Sequence, residues 1–322
     1  MSIDKLAKKM RTVYTPRMAR RSKSKINYAE IPTEKSNPRT RDLDRLPVFE
    51  ILRSMNREDA IVAGAVKKVI PAISRAAGSI VASLRRNGKL FFVGAGTSGR
   101  LGVMEAAECP PTFNTSPSLV RAIMAGGRGS VFKSKEGAED RKKDAERQIG
   151  RLVSRGDVVV GIAASGVTPF VAAALAEARR RKAKTVLITC HPHPVFRSAV
   201  DILIAPRTGP EVISGSTRLK AGTATKLVLN MLTVASMVKL GKVYGNRMVD
   251  LVPRSVKLKE RALRLIQELG RVSRKKAEYY YQDSGGRTKL AILMARRSQS
   301  KQEAERLLKK CRHFLRPALC SP

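Results

Sequence analysis

The chain has 322 residues, 43% of them hydrophobic, so it is long enough to bury a substantial core in one large domain or two smaller ones. Sixty-four Lys and Arg against 26 Asp and Glu give a formal net charge of +38, which favours anionic partners; aromatic residues are only 4%, which argues against stacking platforms for bases. The four cysteines form no CxxC pair and no disulfide pattern, so we expect a reducing compartment.

Residues 1–32 are predicted to be a basic, disordered tail. Residues 1–30 carry nine Lys or Arg against Asp4 and Glu30, and they contain no apolar core of a secretory signal. An organelle transit peptide is the alternative for this segment. Since no basic segment of the chain is interleaved with aromatic residues, we expect any nucleic-acid contact to be non-specific.

Two long helices are predicted next, over 42–57 and 58–87, with Asn56 and the Asn87-Gly88 pair as their boundaries. Short apolar runs then alternate with helical patterns at the spacing of βαβ units. This alternation predicts an α/β fold with a doubly wound, parallel, five-stranded sheet. The strands are predicted at 89–93, 119–124, 157–163, 184–190 and 201–205, and the helices at 98–108, 136–150, 168–182 and 219–243.

Residues 158–176 are uncharged and long enough to cross a membrane. Gly, Ser, Thr and Pro in the middle of this stretch, and the change from Val to Ala along it, favour a buried strand followed by a buried helix. No membrane partner is therefore expected.

Strand patterns stop after about residue 255. Helical periodicity over 258–269, 273–283, 286–296 and 300–315 predicts a small, basic, helical C-terminal domain at 256–322. The sheet and its N-terminal helices then occupy 33–255.

Three hydroxyl-rich loops fall where ligands bind in open parallel sheets, beyond the carboxyl ends of the strands. In ASGVTP, Pro169 suits the first helical position and Thr168 the N-cap, so an anion is favoured at that helix N-terminus. Plain capping explains one such loop equally well, but three together favour a phosphorylated ligand. The loops are GAGTSGR (94–100), ASGVTP (164–169) and SGSTRLKAGT (214–223), with Thr97, Ser98, Ser165, Gly166, Thr168, Ser216, Thr217 and Lys220 as the candidate ligands.

GAGTSG also fits GxGxxG in form, but a dinucleotide site is not favoured. The second strand ends in Ala125-Gly126-Gly127 instead of the acidic residue that such a site requires. No GxxxxGK[ST] motif is present either. The segment Cys190-His191-Pro192-His193 offers at most three zinc ligands and no clear fourth, so no metal is expected, and His191 or His193 would instead line a ligand pocket.

Two carboxylates are candidates for acid/base chemistry. Glu108 precedes Cys109-Pro110-Pro111, where the helix is expected to end, and its neighbours are apolar. The EGAED segment places Glu139, with two further acids, at a helix start. A surface salt bridge for Glu108 and an ordinary acidic first turn for EGAED are the alternatives.

Long motifs in order along the chain carry a family resemblance. The sequence resembles N-acetylmuramic acid 6-phosphate etherases of the sugar isomerase (SIS) superfamily over about residues 33–315. The motifs are TEKSNPRTRDLD, GAGTSGRLGVMEAAECPPTF, EGAED, GIAASGVTPF, GSTRLKAGTATKLVLNML and LGKVYGNRMVDLV. Val167 departs from the family, which commonly has Arg there; either a contact to substrate is weakened, or Arg218 or Lys220 is the replacement cation.

The resemblance implies a cytoplasmic, usually homodimeric enzyme of peptidoglycan recycling that uses no metal or redox cofactor. Such enzymes cleave the D-lactyl ether of N-acetylmuramic acid 6-phosphate, giving N-acetylglucosamine 6-phosphate and D-lactate. It also implies that Glu108 is the acid/base glutamate and Glu139 the second active-site glutamate. The acid must hold its proton near neutrality, which burial among apolar residues and a nearby phosphate would favour.

Three other functions remain open at this stage. The superfamily includes non-catalytic sugar-phosphate-binding regulators, aldose–ketose phosphate isomerases and DNA-binding regulators. A DNA-binding regulator needs a helix-turn-helix, and residues 258–315 show no convincing one. Only the etherase releases lactate, so product analysis separates these readings.

Overall fold

The computed structural model describes residues 28–251, 253 and 255–320. Most of the predicted basic tail lies outside the described residues. Its last residues are part of the fold, because Ile31 is buried beneath a short 3₁₀ turn at Tyr28–Glu30.

Among the described residues, two α-helices precede the sheet: α1, Val48–Lys67, and α2, Ile70–Leu84. The predicted boundary between them is wrong, since Asn56 lies inside α1 and the break falls at Lys68 and Val69. Pro71 explains the position of the break, because a proline in the first turn of a helix lacks only an N–H that has no intrahelical acceptor.

The predicted five-stranded parallel sheet is confirmed. Its strands pair in the order β2-β1-β3-β4-β5. Helices cover both faces, so the central strands read as continuous apolar runs. The strands are β1, Leu90–Gly94; β2, Val120–Met124; β3, Val158–Ile162; β4, Lys184–Ile188; and β5, Ile202–Ile204.

The two faces of the sheet carry separate apolar cores. Alternate side chains such as Phe92 and Val160 pack with α2, α3 (Gly96–Phe113) and α6 (Lys220–Lys239). Phe91 and Val159 pack with α4 (Lys142–Leu152) and α5 (Pro169–Arg180) on the other face. β1 leads through α3 to β2 on one side, and β3 lies on its other side. The winding therefore reverses between β1 and β3, and a crevice opens at their carboxyl ends.

The uncharged stretch 158–176 divides into β3 and the first half of α5, as predicted. Within the described part of the chain, one helix, α6, has the length and composition to cross a membrane. Half of the relevant window of α6 is buried inside the fold, against the sheet and α2.

After α6 the chain forms a short hairpin of β6, Val243–Tyr244, and β7, Arg247–Met248. Helices follow and enclose a third apolar core, with Leu290 to Ala295 buried at its centre. These helices are α7, Val256–Gly270; α8, Arg274–Asp283; α9, Thr288–Arg297; α10, Lys301–Lys310; and α11, Leu315–Cys320.

Candidate active site

The N-terminus of α3 lies at the carboxyl end of β1, and its N-cap residue, Ala95, makes no capping hydrogen bond with its side chain. Gly94 and Gly99 allow this close entry, because a Cβ on Gly94 would lie 2.7 Å from the Gly99 nitrogen. Thr97 and Ser98 lie half-buried in the first turn. Since the first N–H groups of a helix lack intrahelical acceptors, these groups and the two hydroxyls are available as hydrogen-bond donors to an anion.

The N-terminus of α5 has the same construction. Pro169 occupies its first turn, and Thr168 is the N-cap by position but makes no capping hydrogen bond with its side chain. The Ser165 side chain lies half-buried in the preceding loop. Gly166 has a φ of +73°, and a Cβ there would lie 2.9 Å from His191 Cβ, so glycine is required.

These two helix ends are neighbours. β1 and β3 pair directly, with Gly94 opposite Ile162, so the loops after them leave adjacent strand ends. The third loop approaches as well, since a Cβ on Gly222 of α6 would lie 4.0 Å from Thr97 Cγ2. Ser216 and Thr217, both half-buried, lie in this third loop, with Arg218 exposed beside them.

Lys220 does not line this crevice. It is 0% exposed, and its Nζ lies 2.5 Å from Oε2 of Glu58 in α1. Asn37 Nδ2 and Arg39 Nε also donate to the Glu58 carboxylate. Lys220 therefore neutralises a buried carboxylate, and the prediction that it binds substrate is wrong.

The N-terminus of α6 also differs from those of α3 and α5. The buried carboxylate of Glu211 accepts hydrogen bonds from the backbone N–H of Lys220, at 3.0 Å, and of Ala221, at 2.9 Å. Burial raises the pKa of Glu211 in spite of these bonds. Because this helix end already holds an anion of its own chain, the third loop offers a ligand only its hydroxyls and Arg218.

Glu108 lies away from the crevice. Helix α3 was predicted to end at the Cys-Pro-Pro segment, and this prediction is wrong: the helix continues through Pro110 and Pro111 to Phe113. The donors lost at the prolines fall in its last turns, and Asn114 closes it in the left-handed conformation by donating to Pro110 O at 2.9 Å.

The Glu108 side chain is exposed, so the expected apolar burial is absent within one chain. It lies twelve residues beyond Gly96, which is about 18 Å along the helix axis.

Glu139 lies much nearer. It belongs to the 3₁₀ turn Ala138–Asp140 and lines a cavity of 290 Å³ at the carboxyl ends of β1 and β2, beside the start of α3. Arg100 and Ser130, which were not predicted as site residues, line the same cavity. The signal for Arg100 was its position in GAGTSGR, one helical turn after Gly96; nothing in the sequence marks Ser130.

The Cys190–His193 segment packs behind the α5 loop. Burial and the neighbouring His193 lower the pKa of His191, whose Nδ1 accepts the backbone N–H of His193 at 3.0 Å. Within the described ranges, no three His, Cys, Asp or Glu side chains are grouped so as to hold a metal ion.

Comparisons with known proteins agree with this architecture. The SIS domain profile matches residues 142–235, and that of the glucokinase regulatory protein N-terminal SIS domain matches residues 72–179. N-acetylmuramic acid 6-phosphate etherases are similar over most of the chain. That of Geobacillus thermodenitrificans is 47% identical over 90% of this chain and 98% of its own length. Those of Nostoc punctiforme and Clostridium acetobutylicum are 48% and 46% identical, each over 90% of this chain and 94% and 96% of their own lengths. The chain thus belongs to the N-acetylmuramic acid 6-phosphate etherase family.

Proposed function

We propose that this protein is a carbon–oxygen lyase of peptidoglycan recycling in the cytoplasm. It cleaves the D-lactyl ether of N-acetylmuramic acid 6-phosphate, giving N-acetylglucosamine 6-phosphate and D-lactate. Etherase relatives that match nearly the whole chain support this function. The structural observation that carries it is the pair of uncapped, hydroxyl-bearing helix N-termini side by side at the reversal of the sheet.

The 6-phosphate binds in the crevice between β1 and β3. Backbone N–H groups at the starts of α3 and α5 donate to it, and the hydroxyls of Thr97, Ser98, Ser165 and Thr168 complete its shell. Gly166 lets the backbone approach the phosphate closely. Ser216 and Thr217 close the third side, and Arg218 is the nearby cation.

The reaction is an elimination followed by a hydration. In the ring-opened sugar C1 is an aldehyde, which acidifies the C2 proton. Glu139 removes that proton, the C3–O bond breaks, and Glu108 protonates the departing lactate oxygen. Water then adds to C3 of the unsaturated aldehyde with Glu108 as base, and the proton returns to C2. Each such proton transfer contributes about 10²–10⁴-fold.

Glu108 reaches the site from a second copy of the chain. Within one chain the distance of about 18 Å along α3 exceeds the span from a 6-phosphate to C3 of the same sugar. Glu108 borders an apolar face that is exposed in the single chain and contains Met104 of α3 together with Met231, Val234 and Val238 of α6.

Helices α3 and α6 both start at the carboxyl edge of the sheet and run in the same direction across this face. A two-fold axis perpendicular to them would place the start of each helix beside the end of the same helix in the partner. Such a homodimer brings Glu108 of each copy toward the helix N-termini of its partner. The dimer also shields the Glu108 carboxyl from water, whereas this side chain is exposed in the single chain.

The decisive experiment incubates the full chain with N-acetylmuramic acid 6-phosphate and assays D-lactate. Release of D-lactate supports the etherase, and substrate binding without release would favour the alternative, a non-catalytic sugar-phosphate-binding regulator. Glu108→Gln should abolish release while leaving substrate binding intact. Ser165→Ala should mainly raise KM.

Mixing two inactive variants tests the shared site. Glu108→Gln and Glu139→Gln are each expected to be inactive, but after subunit exchange half of the dimers contain one wild-type site. About a quarter of wild-type activity should therefore return. If both carboxylates came from one chain, the mixture would stay inactive.

A further inference from the structure

The cavity beside Glu139 lies on the other side of the α3 N-terminus from the phosphate crevice. It opens at the carboxyl ends of β1 and β2, whereas the crevice lies between β1 and β3. Adjacent strands are about 4.8 Å apart, so one small phosphosugar can lie across the end of β1 and occupy both. The cavity beside Glu139 has a volume of 290 Å³, which is larger than a group the size of lactate.

One wall of this cavity contains a polar group without a partner. Ser130 is only 4% exposed, and its hydroxyl makes no hydrogen bond within the described part of the chain. Gly126 makes room for it, because a Cβ at that position would clash with Ser130 Oγ. A buried hydroxyl without a partner is costly, and a ligand in the cavity that hydrogen-bonds to it would offset this cost.

A cation is fixed beside this hydroxyl. The Arg100 guanidinium donates through Nε to Val131 O at 2.8 Å and through Nη2 to Ser130 O at 3.0 Å and Ser134 Oγ at 3.1 Å. These bonds leave Nη1 without a protein acceptor among the described residues. Arginine is held here in one orientation, as the recognition of a planar anion requires.

The rest of the lining is mixed in charge. Lys135 forms no ion pair in the described structure, and its chain passes over Gly126. Glu136 and Glu139 are the carboxylates of the cavity, and both are exposed to solvent, whereas Arg100 is half-buried. The fixed positive charge therefore lies deep, and the negative charges lie at the mouth.

We propose that Arg100 and Ser130, with Lys135 at the mouth, bind the carboxylate of the lactyl group. The proposal rests on the proposed etherase function and adds a subsite to it. The carboxylate is the second anion of the substrate, and this cavity offers a cation held in place by hydrogen bonds. With the phosphate in the crevice and the carboxylate on Arg100, C2 and C3 lie over the end of β1, where Glu139 reaches C2. The departing lactate oxygen is thereby held in place while the C3–O bond breaks.

A matched pair of substrates tests the subsite. The natural substrate is compared with its lactyl carboxamide, which has the same shape without the charge. The wild type should prefer the carboxylate by about 10–100-fold in kcat/KM, the usual strength of a hydrogen bond to a charged group. Arg100→Met and Ser130→Ala should reduce this preference, and Arg100→Lys should restore part of it. Lys135→Met should weaken it, whereas Lys133→Met, on the same loop outside the cavity lining, should not.

Two further measurements separate this subsite from loop structure and from the etherase reaction. Ser130→Ala should not lower Tm, because the hydroxyl has no protein partner to lose and its burial without one is costly. Direct titration with D-lactate should give binding to the wild type and weaker binding to Ser130→Ala and Arg100→Met, whether or not the protein turns over substrate. Absence of D-lactate release by the wild type would overturn the etherase function alone. An unchanged carboxylate preference in Ser130→Ala and Arg100→Met, or no D-lactate binding by the wild type, would overturn the subsite.

Discussion

Glu58 is the centre of a buried polar cluster that joins three parts of the chain. Its carboxylate accepts hydrogen bonds from Lys220 of α6 and from Asn37 and Arg39 of the segment before α1. The same segment binds the third loop directly, since Gly215 N donates to Thr33 O at 2.8 Å. The cluster therefore holds the loop of Ser216 and Thr217 against the start of α6.

Lys220→Met should lower the free energy of unfolding by about 3–5 kcal/mol, because it leaves the buried Glu58 carboxylate short of a cation. Urea unfolding measures this. Arg53→Met is the control: it breaks the exposed pair with Glu50 and should change the same quantity by less than about 1 kcal/mol. Adding Glu58→Met to Lys220→Met should recover part of the loss, since no buried charge is then left unpaired. Equal unfolding free energies for Lys220→Met and Arg53→Met would contradict this account.

The same cluster makes stability depend on pH. Burial alone would raise the pKa of Glu58, but the hydrogen bonds from Arg39, Lys220 and Asn37 outweigh it and lower the pKa to about 2. Stability from Glu58 is therefore present above its unfolded pKa and is lost as the pH falls through the folded value. The contribution of Glu211 to stability changes with pH in the opposite direction, because burial raises its pKa in the folded state. The difference in unfolding free energy between wild type and Glu58→Gln should shrink as the pH falls from about 6 to about 3. A difference that stays constant over this range would contradict the assignment.

The four cysteines should separate by reactivity. Burial raises the pKa of the Cys109 thiol to about 12, with further contributions from Glu105 and Glu108, and burial raises that of Cys190 to about 11. Cys320 is exposed and Cys311 is half-buried. In the folded protein we expect iodoacetamide to label Cys320 first, Cys311 more slowly and the other two only after unfolding in urea. Mass spectrometry locates the labels, and fast labelling of Cys109 would contradict the observed packing of α3.

Some residues of the candidate site can be recognised from their neighbours in the sequence, and others only from contacts with residues far away in the chain. The hydroxyls of the α3 and α5 loops could be predicted, because a strand, a glycine and a helix start lie within a few residues of each. The burial of Lys220 could not, because its partner Glu58 lies 162 positions earlier in the chain. Ser130 is likewise a candidate only through the cavity that Arg100 and Glu139 form around it.

Among the elements, the central strands were the easiest to predict and the helix ends the hardest. Strands buried on both faces, such as β3, require uninterrupted apolar side chains, and this pattern is local. Helix ends depend on groups outside the helix. Asn56 resembles a boundary but lies on the exposed side of α1, and the prolines of α3 fall where the helix is already ending.

At the scale of one helix, α10 should depend on its N-cap. The Ser300 hydroxyl accepts the backbone N–H of Glu303, and the Glu303 carboxylate accepts the backbone N–H of Ser300 at 2.8 Å. Ser300→Ala should destabilise the protein by about 1 kcal/mol, and Ser300→Asp should retain most of the stability. Thermal unfolding and amide exchange at Glu303 measure the effect. If Ser300→Asp were no more stable than Ser300→Ala, the N-cap hydrogen bond would not be what stabilises the N-terminus of α10.

In the whole molecule, the two catalytic candidates lie at opposite ends of α3. The helix starts beside the phosphate crevice and the Glu139 cavity, and it carries Glu108 toward the amino edge of the sheet. A symmetric pair is the simplest assembly that joins them, because a two-fold axis perpendicular to the helix places each end beside the opposite end of the partner's helix. Activity should therefore require the dimer, even though the residues proposed to bind the phosphate all belong to one chain.

Replacing Met231 and Val234 together with Asp tests this requirement. Both side chains are already partly exposed, at 38% and 49%, so the double variant should fold as the wild type does, which circular dichroism checks. Four charges across the two-fold axis should dissociate the dimer, and release of D-lactate should fall to background. Val256→Asp is the control, because this residue is 82% exposed at the start of α7 in the C-terminal helices and should leave assembly and turnover unchanged. Light scattering and the lactate assay on the same samples give the answer: a monomer that still releases D-lactate would show that Glu108 acts within its own chain, and an unchanged dimer would place the interface elsewhere.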